Sequence, residues 1–299
     1  MLFAKRFQSK SAGVLTAGDF KKRSTRVLYW SLFLTLIVVS IVCLFPPLWI
    51  FLSAFKDTKE FLSVPPTIIP KTFNIGKLAY VWNTLNFWKY YLNSFLLLAG
   101  EWACCILFNG VFGFVLSRVR PKGTRLIFTI VFWTMLMPAS VNMIPLFMTF
   151  CDLPLIHANI TNTYFPMWIM AAANAYYTLL FRSFFNGIPM SYVEAAKMDG
   201  CSMLGIFFKI IVPLSTPIII VVSIFSVQNS WGSFLWPFLV VKNAKLYPIT
   251  VKLYQLFVGG LSDDVYFVAM LLTIIPPAIL FAFLSKYIMN ANLSEGIKG

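Results

Sequence analysis

Negative charge is what this sequence has least of. Asp and Glu total 10 in 299 residues, and all charged residues together reach 11%, where a soluble domain carries roughly 25%. So few carboxylates leave no paired arrangement for acid–base catalysis. One histidine, His157, is present, so no Ser/His/Asp constellation emerges. The five cysteines, Cys43, Cys104, Cys105, Cys151 and Cys201, form no CxxC pair and sit mostly in apolar runs. They read as small hydrophobes rather than redox or metal ligands. Asp152, His157, Asp263 and Asp264 read as solvated loop residues without metal-ligand spacing. The G-x-x-x-x-G-K-[ST] phosphate loop is absent, as are low-complexity tracts, internal repeats and β-barrel alternation. The chain is therefore not expected to be an enzyme in its own right or to hold a metal.

What is abundant is apolar length. The sequence is 59% hydrophobic with a mean hydropathy of +0.80. Six runs reach the roughly 20 residues needed to cross a bilayer, near 27–54, 92–117, 126–148, 163–186, 212–237 and 265–288. Helices are expected, because a helix satisfies its own backbone hydrogen bonds in lipid. The fold class is thus all-α, a polytopic membrane protein with six transmembrane helices. Residues 1–26 are polar and basic, but the run that follows is too long for a cleavable signal's apolar core.

The net charge of +14 points to basic loops beside a membrane rather than to nucleic acid. With residues 1–26 and 290–299 both on the cytoplasmic side, sixteen of the 24 Lys and Arg fall inside. That bias supports an even number of spans and a domain running from 27 to 289. The loop near 55–91, with Pro65, Pro66 and Pro70, is expected to form a folded or semi-rigid external segment.

The polar island between the fourth and fifth runs, about 189–213, then lies in the cytoplasm. Ser191 and Glu194 have the spacing of a capping box, which starts a helix near Tyr192. Gly200 is placed to end it in the left-handed conformation, and a second helix is expected from Ser202 toward Pro213. Met198, Met203, Leu204 and Phe207 would form an interaction patch if exposed. The competing reading is that the island packs on its own membrane helices.

Glu194-Ala195-Ala196, three residues, Gly200, nine residues and Ile210-Ile211-Val212-Pro213 resemble the cytoplasmic EAA loop of bacterial ABC importer permeases. Val212 stands where that pattern has leucine; Asp199 matches its common DG pair, and Cys201 replaces an alanine. The resemblance extends over most of the chain and toward the carbohydrate branch, near the maltose-type second permease. Asn93-Ser94, Phe181-Arg182-Ser183-Phe184-Phe185 with Ile188-Pro189, Trp231 to Pro237, and Gly296-Ile297-Lys298-Gly299 carry it. Gly232 and Ser233 depart from the branch's WNDFLWP, removing an amide and a carboxylate.

The resemblance implies a permease subunit of a binding-protein-dependent importer in the bacterial cytoplasmic membrane, moving a sugar or oligosaccharide. Its implied partners are a second permease in a heterodimer, a cytoplasmic ATPase dimer holding ATP and Mg, and an extracytoplasmic solute-binding protein. Glu194, Ala195, Ala196, Asp199, Gly200, Met203, Phe207 and Pro213 would couple to the ATPase. Glu194 would pair with the ATPase, complete the capping box, or both.

Glu101 lies inside the second run, where a charge costs on the order of 2.5–3.5 kcal/mol unless it faces protein or water. A substrate contact and a structural hydrogen bond both fit it. Asn174, Tyr176, Tyr177, Asn229, Trp231, Phe234 and Trp236 are further substrate-path candidates, since sugars pair ring faces with aromatics and hydroxyls with amides. Interfacial aromatics are their simpler reading. An ion-coupled secondary transporter, or an ABC permease for a non-sugar solute, are the competing functions.

Overall fold

The computed structural model describes residues 23–295 except Leu62 and Pro66, with backbone alone beyond Phe283. Residues 1–22 and 296–299 lie outside it, and with them most of the expected terminal segments and the Gly296–Gly299 motif. Among the described residues every regular element is a helix. In chain order they are α1 (Arg23–Ser53), α2 (Gly76–Thr84), α3 (Phe87–Val119), α4 (Thr124–Leu136), α5 (Ala139–Cys151), α6 (Phe165–Ala172), α7 (Ala175–Gly187), α8 (Met190–Met198), α9 (Met203–Leu214), α10 (Thr216–Gly232), α11 (Ile249–Val258) and α12 (Asp263–Glu295). Shorter turns of helix connect some of them.

Three of these, α1, α3 and α12, are long and apolar enough to cross a membrane, or up to five spans if each bent pair counts as one. Six runs were expected, and the difference has a local cause at each place. The run 126–148 is cut into α4 and α5, which meet at 108°. Pro138 lacks an N–H and drives Met137 into extended backbone, as the residue before proline prefers. The run 163–186 is cut at Ala173–Asn174 into α6 and α7, each too short to span alone. The expected span 212–237 begins inside α9, and the chain turns by 80° at Ser215 before α10, where Pro217 takes an early helical position.

The α3–α7 pair brings two backbones close together. A Cβ on Gly113 would lie 2.8 Å from the Phe181 Cβ and 3.0 Å from the Arg182 backbone nitrogen. Small residues allow such approach between membrane helices, where packing rather than the hydrophobic effect drives association. Phe114, Phe181 and Phe185 then join Val193, Ile206, Phe207 and Ile211 in one buried cluster that links the membrane helices to the island. A second cluster, with Val81, Phe87, Trp231, Ile249 and Val268, closes the opposite end of α3.

Polar contacts order that opposite end. Asn93 Nδ2 donates to the carbonyls of Lys245 and Tyr247, each at 2.9 Å, and Ser94 Oγ accepts from the first N–H of α11 at 2.8 Å. Asp264, expected to be solvated, is instead buried. It pairs with Lys77 at 2.7 Å and accepts from Thr58 Oγ1 at 2.9 Å, because α2 packs across the start of α12. The 54–75 segment is folded, with Lys56 bonded to Thr67 and its ammonium 4.2 Å from the Trp49 ring centre.

Gly113→Ala is expected to destabilise the protein by about 1–3 kcal/mol through overpacking against a backbone that cannot step aside. Thermal unfolding of the solubilised protein reads this. Gly187→Ala, where an added Cβ meets nothing within 4 Å, should not lower the midpoint.

Candidate functional site

A cleft of about 210 Å³ opens between α3, α6, α7 and α10. Glu101 from α3, Asn174 and Tyr177 from the start of α7, Asn229 from α10 and Trp236 from the turn beyond it all line it. Five of the eight substrate-path candidates, far apart in sequence, thus converge. Asn229 Nδ2 donates to Tyr177 Oη at 2.8 Å, so two of them fix one another. Glu101 is buried against the helices, with the Ser230 hydroxyl beside its carboxyl. Ser226, Ser230 and Ser233 supply further hydroxyls, and Met167, Met170 and Ala171 form an apolar wall. A concave site with an apolar wall and a few convergent polar groups is the usual form of a small-molecule site.

The other three candidates lie elsewhere. Trp231 is buried beside the cleft, its indole donating to the Thr273 carbonyl at 3.2 Å and meeting Tyr91 and Phe95 edge-on. Phe234 stacks on Phe238 and meets Tyr254 at a tilt. Tyr176 is half exposed next to Tyr177.

The cleft depends on a residue that hydropathy conceals. Asn109 is fully buried and ends a π-helical turn, Cys105–Asn109, a feature that recurs at functional sites. Its Oδ1 accepts from the Asn174 N–H at 3.1 Å and from Thr178 Oγ1 at 3.0 Å. Its Nδ2 donates to the carbonyls of Cys105 and Ala171, both at 2.8 Å. One amide therefore satisfies loose ends on both sides of the α6–α7 break, where an unpaired backbone group in an apolar interior is costly. Asn174 completes the junction, its Oδ1 accepting from the Tyr177 N–H at 3.2 Å as the α7 N-cap. An amide within an apolar run was the available sequence signal.

At the far end of α7 the island forms two short helices. The capping box does not form: α8 starts at Met190 after Pro189, whose side chain makes no cap bond, so Ser191 already lies inside the helix. Proline's extended backbone starts the helix early. Glu194 is exposed, and among the described residues its carboxylate has no hydrogen bond or ion pair. Gly200 does end α8, at φ +79°. The Cys201 N–H reaches the Ala196 carbonyl at 2.9 Å and the Gly200 N–H reaches Lys197 at 3.0 Å, the paired bonds of a Schellman cap. Ser202 starts α9, its hydroxyl accepting from the Gly205 N–H at 3.1 Å.

The island has two faces. Ala196 and Phe207 are buried against the membrane helices and Met203 is half-buried. Ala195, Asp199, Gly200 and Pro213 are exposed with Glu194, and Met198 and Leu204 stand 88% and 67% exposed. The island packs on its own membrane helices through one face and leaves the other open.

Arg118 joins the two regions and was unremarked beyond its charge. It is buried at the end of α3 and donates to the carbonyls of Phe185 and Ile188, with Met190 Sδ at 3.5 Å. A cation at a helix C-terminus satisfies its free carbonyls and its dipole. Here it pins the end of α7 and the entry to α8 onto α3. Arg182 lies 3.8 Å from the Phe128 ring centre and holds α4 to α7.

Residues 109–291 match the family described as "Binding-protein-dependent transport system inner membrane component". The chain belongs to that family. The match covers Asn109, the cleft residues of α6, α7 and α10, and the whole island. Glu101 lies just before it. The chain is 28% identical to the arabinooligosaccharides transport system permease protein AraQ of Halalkalibacterium halodurans, over 93% of this chain and 100% of that one. It is 27% identical to the polygalacturonan/rhamnogalacturonan transport system permease protein YtcP of Bacillus subtilis, over 88% and 96%. It is 26% identical to the sn-glycerol-3-phosphate transport system permease protein UgpE of Escherichia coli K12, over 84% and 92%. Its fold is similar to a chain in the crystal structure of a bacterial ABC transporter that imports the acidic polysaccharide alginate. That TM-score is 0.78 at 24% identity, covering 89% of this chain and 98% of that one.

Asn109→Leu keeps volume but removes all four hydrogen bonds, each stranded buried group costing about 1–3 kcal/mol. It is expected to lower the unfolding midpoint and abolish uptake in cells carrying the complete transport system. Asn109→Asp, which keeps the Oδ acceptors, should lose less of both.

Proposed function

We propose that this chain is a permease subunit of a binding-protein-dependent ABC importer that moves a sugar or oligosaccharide inward across the cytoplasmic membrane. The observation that carries the reading is the joining of a polar cleft and an exposed, charged two-helix island by the same pair of helices, α3 and α7, within a family chain. The cleft is the permease's share of the path. The island, with Glu194 at its surface, docks on a cytoplasmic ATPase dimer, and ATP and Mg are bound there rather than here. An extracytoplasmic solute-binding protein delivers the solute, and a different permease completes a heterodimer.

In this reading α4–α5, α6–α7 and α9–α10 count with α1, α3 and α12 as six crossings, both termini are cytoplasmic, and the 54–84 segment faces the binding protein. ATPase closure pushes on Met198, Leu204 and Glu194. The α8–α9 pair moves as a unit because its other face is buried in the Phe114–Phe181–Phe207 cluster, and Arg118 carries that movement to α3.

Glu194 caps nothing, so Glu194→Lys should leave the membrane subunits folded while reversing a docking charge. We expect at least a roughly tenfold loss of ATPase co-assembly and of vanadate-sensitive uptake, measured with the purified complex in vesicles. Uptake by this chain alone, driven by an ion gradient, would overturn the proposal.

A further inference from the structure

α12 carries two adjacent prolines, Pro276 and Pro277, inside its helical run. Neither has an N–H, so the carbonyls four residues back, those of Leu272 and Thr273, lose their helical donors. Adjacency deepens the deficit. A tighter turn could serve Leu272 but not Thr273, whose donor three residues on is also a proline. A wider turn could serve Thr273 but not Leu272, for the matching reason. Both residues are buried, where a carbonyl without a donor is costly.

Each carbonyl has its own donor. Tyr91 Oη of α3 donates to the Leu272 carbonyl, and Trp231 Nε1 of α10 donates to that of Thr273 at 3.2 Å. Successive carbonyls stand about 100° apart around a helix, and the two donors accordingly come from two different helices. The donors also hold one another, their rings meeting edge-on at 5.9 Å between centres, and Phe95 meets Trp231 at 5.3 Å. Both stand on helices that line the cleft. Trp231 directly follows Asn229 and Ser230, and Tyr91 shares α3 with Glu101.

We propose that Tyr91 and Trp231 are positioning residues, matched one to one with the carbonyls that Pro276 and Pro277 free. Through them α12 fixes the end of α10, and with it the placement of Asn229 and Ser230 in the cleft. Trp231 then serves the path by holding its wall rather than by touching the solute. The matching goes beyond the importer reading above, whereas its consequence for uptake rests on that reading.

The test is a pair of double-mutant cycles in the complete transport complex, read as unfolding midpoint and as ATP-driven saccharide uptake per assembled complex. Tyr91→Phe and Trp231→Phe are each expected to lower the midpoint by a few degrees and to cut uptake at least about threefold. Restoring a helical N–H should repair stability pairwise. Pro276→Ala recovers most of the midpoint lost by Tyr91→Phe, and Pro277→Ala most of that lost by Trp231→Phe, while the crossed combinations stay additive. Pro277→Ala alone should keep uptake, since a carbonyl has a second lone pair for Trp231. The Trp231→Phe/Pro277→Ala complex should regain its midpoint but not its uptake, because α12 is then satisfied while its tie to α10 is gone. Additive matched pairs would overturn the matching, and Tyr91→Phe, which removes one oxygen, decides it alone if Trp231→Phe does not assemble. Full uptake by the recovered Trp231→Phe/Pro277→Ala complex, or uptake lost in Pro277→Ala alone, would overturn the positioning role. A wild-type complex without ATP-driven uptake would remove the importer reading and the positioning role together, while the midpoints still decide the matching.

Discussion

Every backbone N–H and C=O in an apolar interior needs a partner, and where this chain interrupts a helix it brings one from a side chain. Asn109 is where that constraint is met. Its amide bonds Cys105 and Ala171 on one side and Asn174 and Thr178 on the other. Without it the α6–α7 run would continue as one helix or leave stranded groups. With it, the chain can turn Asn174 and Tyr177 toward Glu101 and Asn229. A broken helix is also a common feature of ion-coupled carriers; here it serves a chain whose family is fixed by the 109–291 match.

The same helix, α3, meets both the cleft and the island. Glu101 lies at its middle, Asn109 eight residues on, Gly113 against α7, and Arg118 at its end beneath the entry to α8. Two π-helical turns fall between Glu101 and Arg120. The second ends as Arg120 adopts a positive φ and its guanidinium bonds Ser117 and Asn186. Packed backbone and a buried guanidinium therefore connect the island to the helix that lines the cleft.

Local chemistry was the legible part of the sequence. Gly200 and Ser202 have short-range physical reasons to end one helix and start the next, and both positions hold. The capping box failed for an equally local reason, since Pro189 starts the helix before Ser191 can cap it. Pro138 was in plain view, yet the mean hydropathy of its run outweighed it, because a window average does not register one missing N–H. The convergence of Glu101, Asn174 and Asn229 could be guessed by residue type alone, for only the folded backbone brings such distant positions together. Asn109 and Arg118 were opaque because their partners are main-chain carbonyls and amides, which no side-chain pattern records. Asp264 misled in the same way, its partner Lys77 being nearly two hundred residues away.

Between Arg26 and Leu48 every residue of α1 is exposed, and only Ser53, at its last turn, is buried. Where the other long helices share a seam with their own chain, this one borrows almost none of its stability from it. Its fold comes from its own hydrogen bonds, and its position from whatever surrounds it. Such an element is a mooring line rather than a stave: its last turn ties it to the chain through Ile50 and Ser53, and most of its apolar length is left for contacts outside this chain.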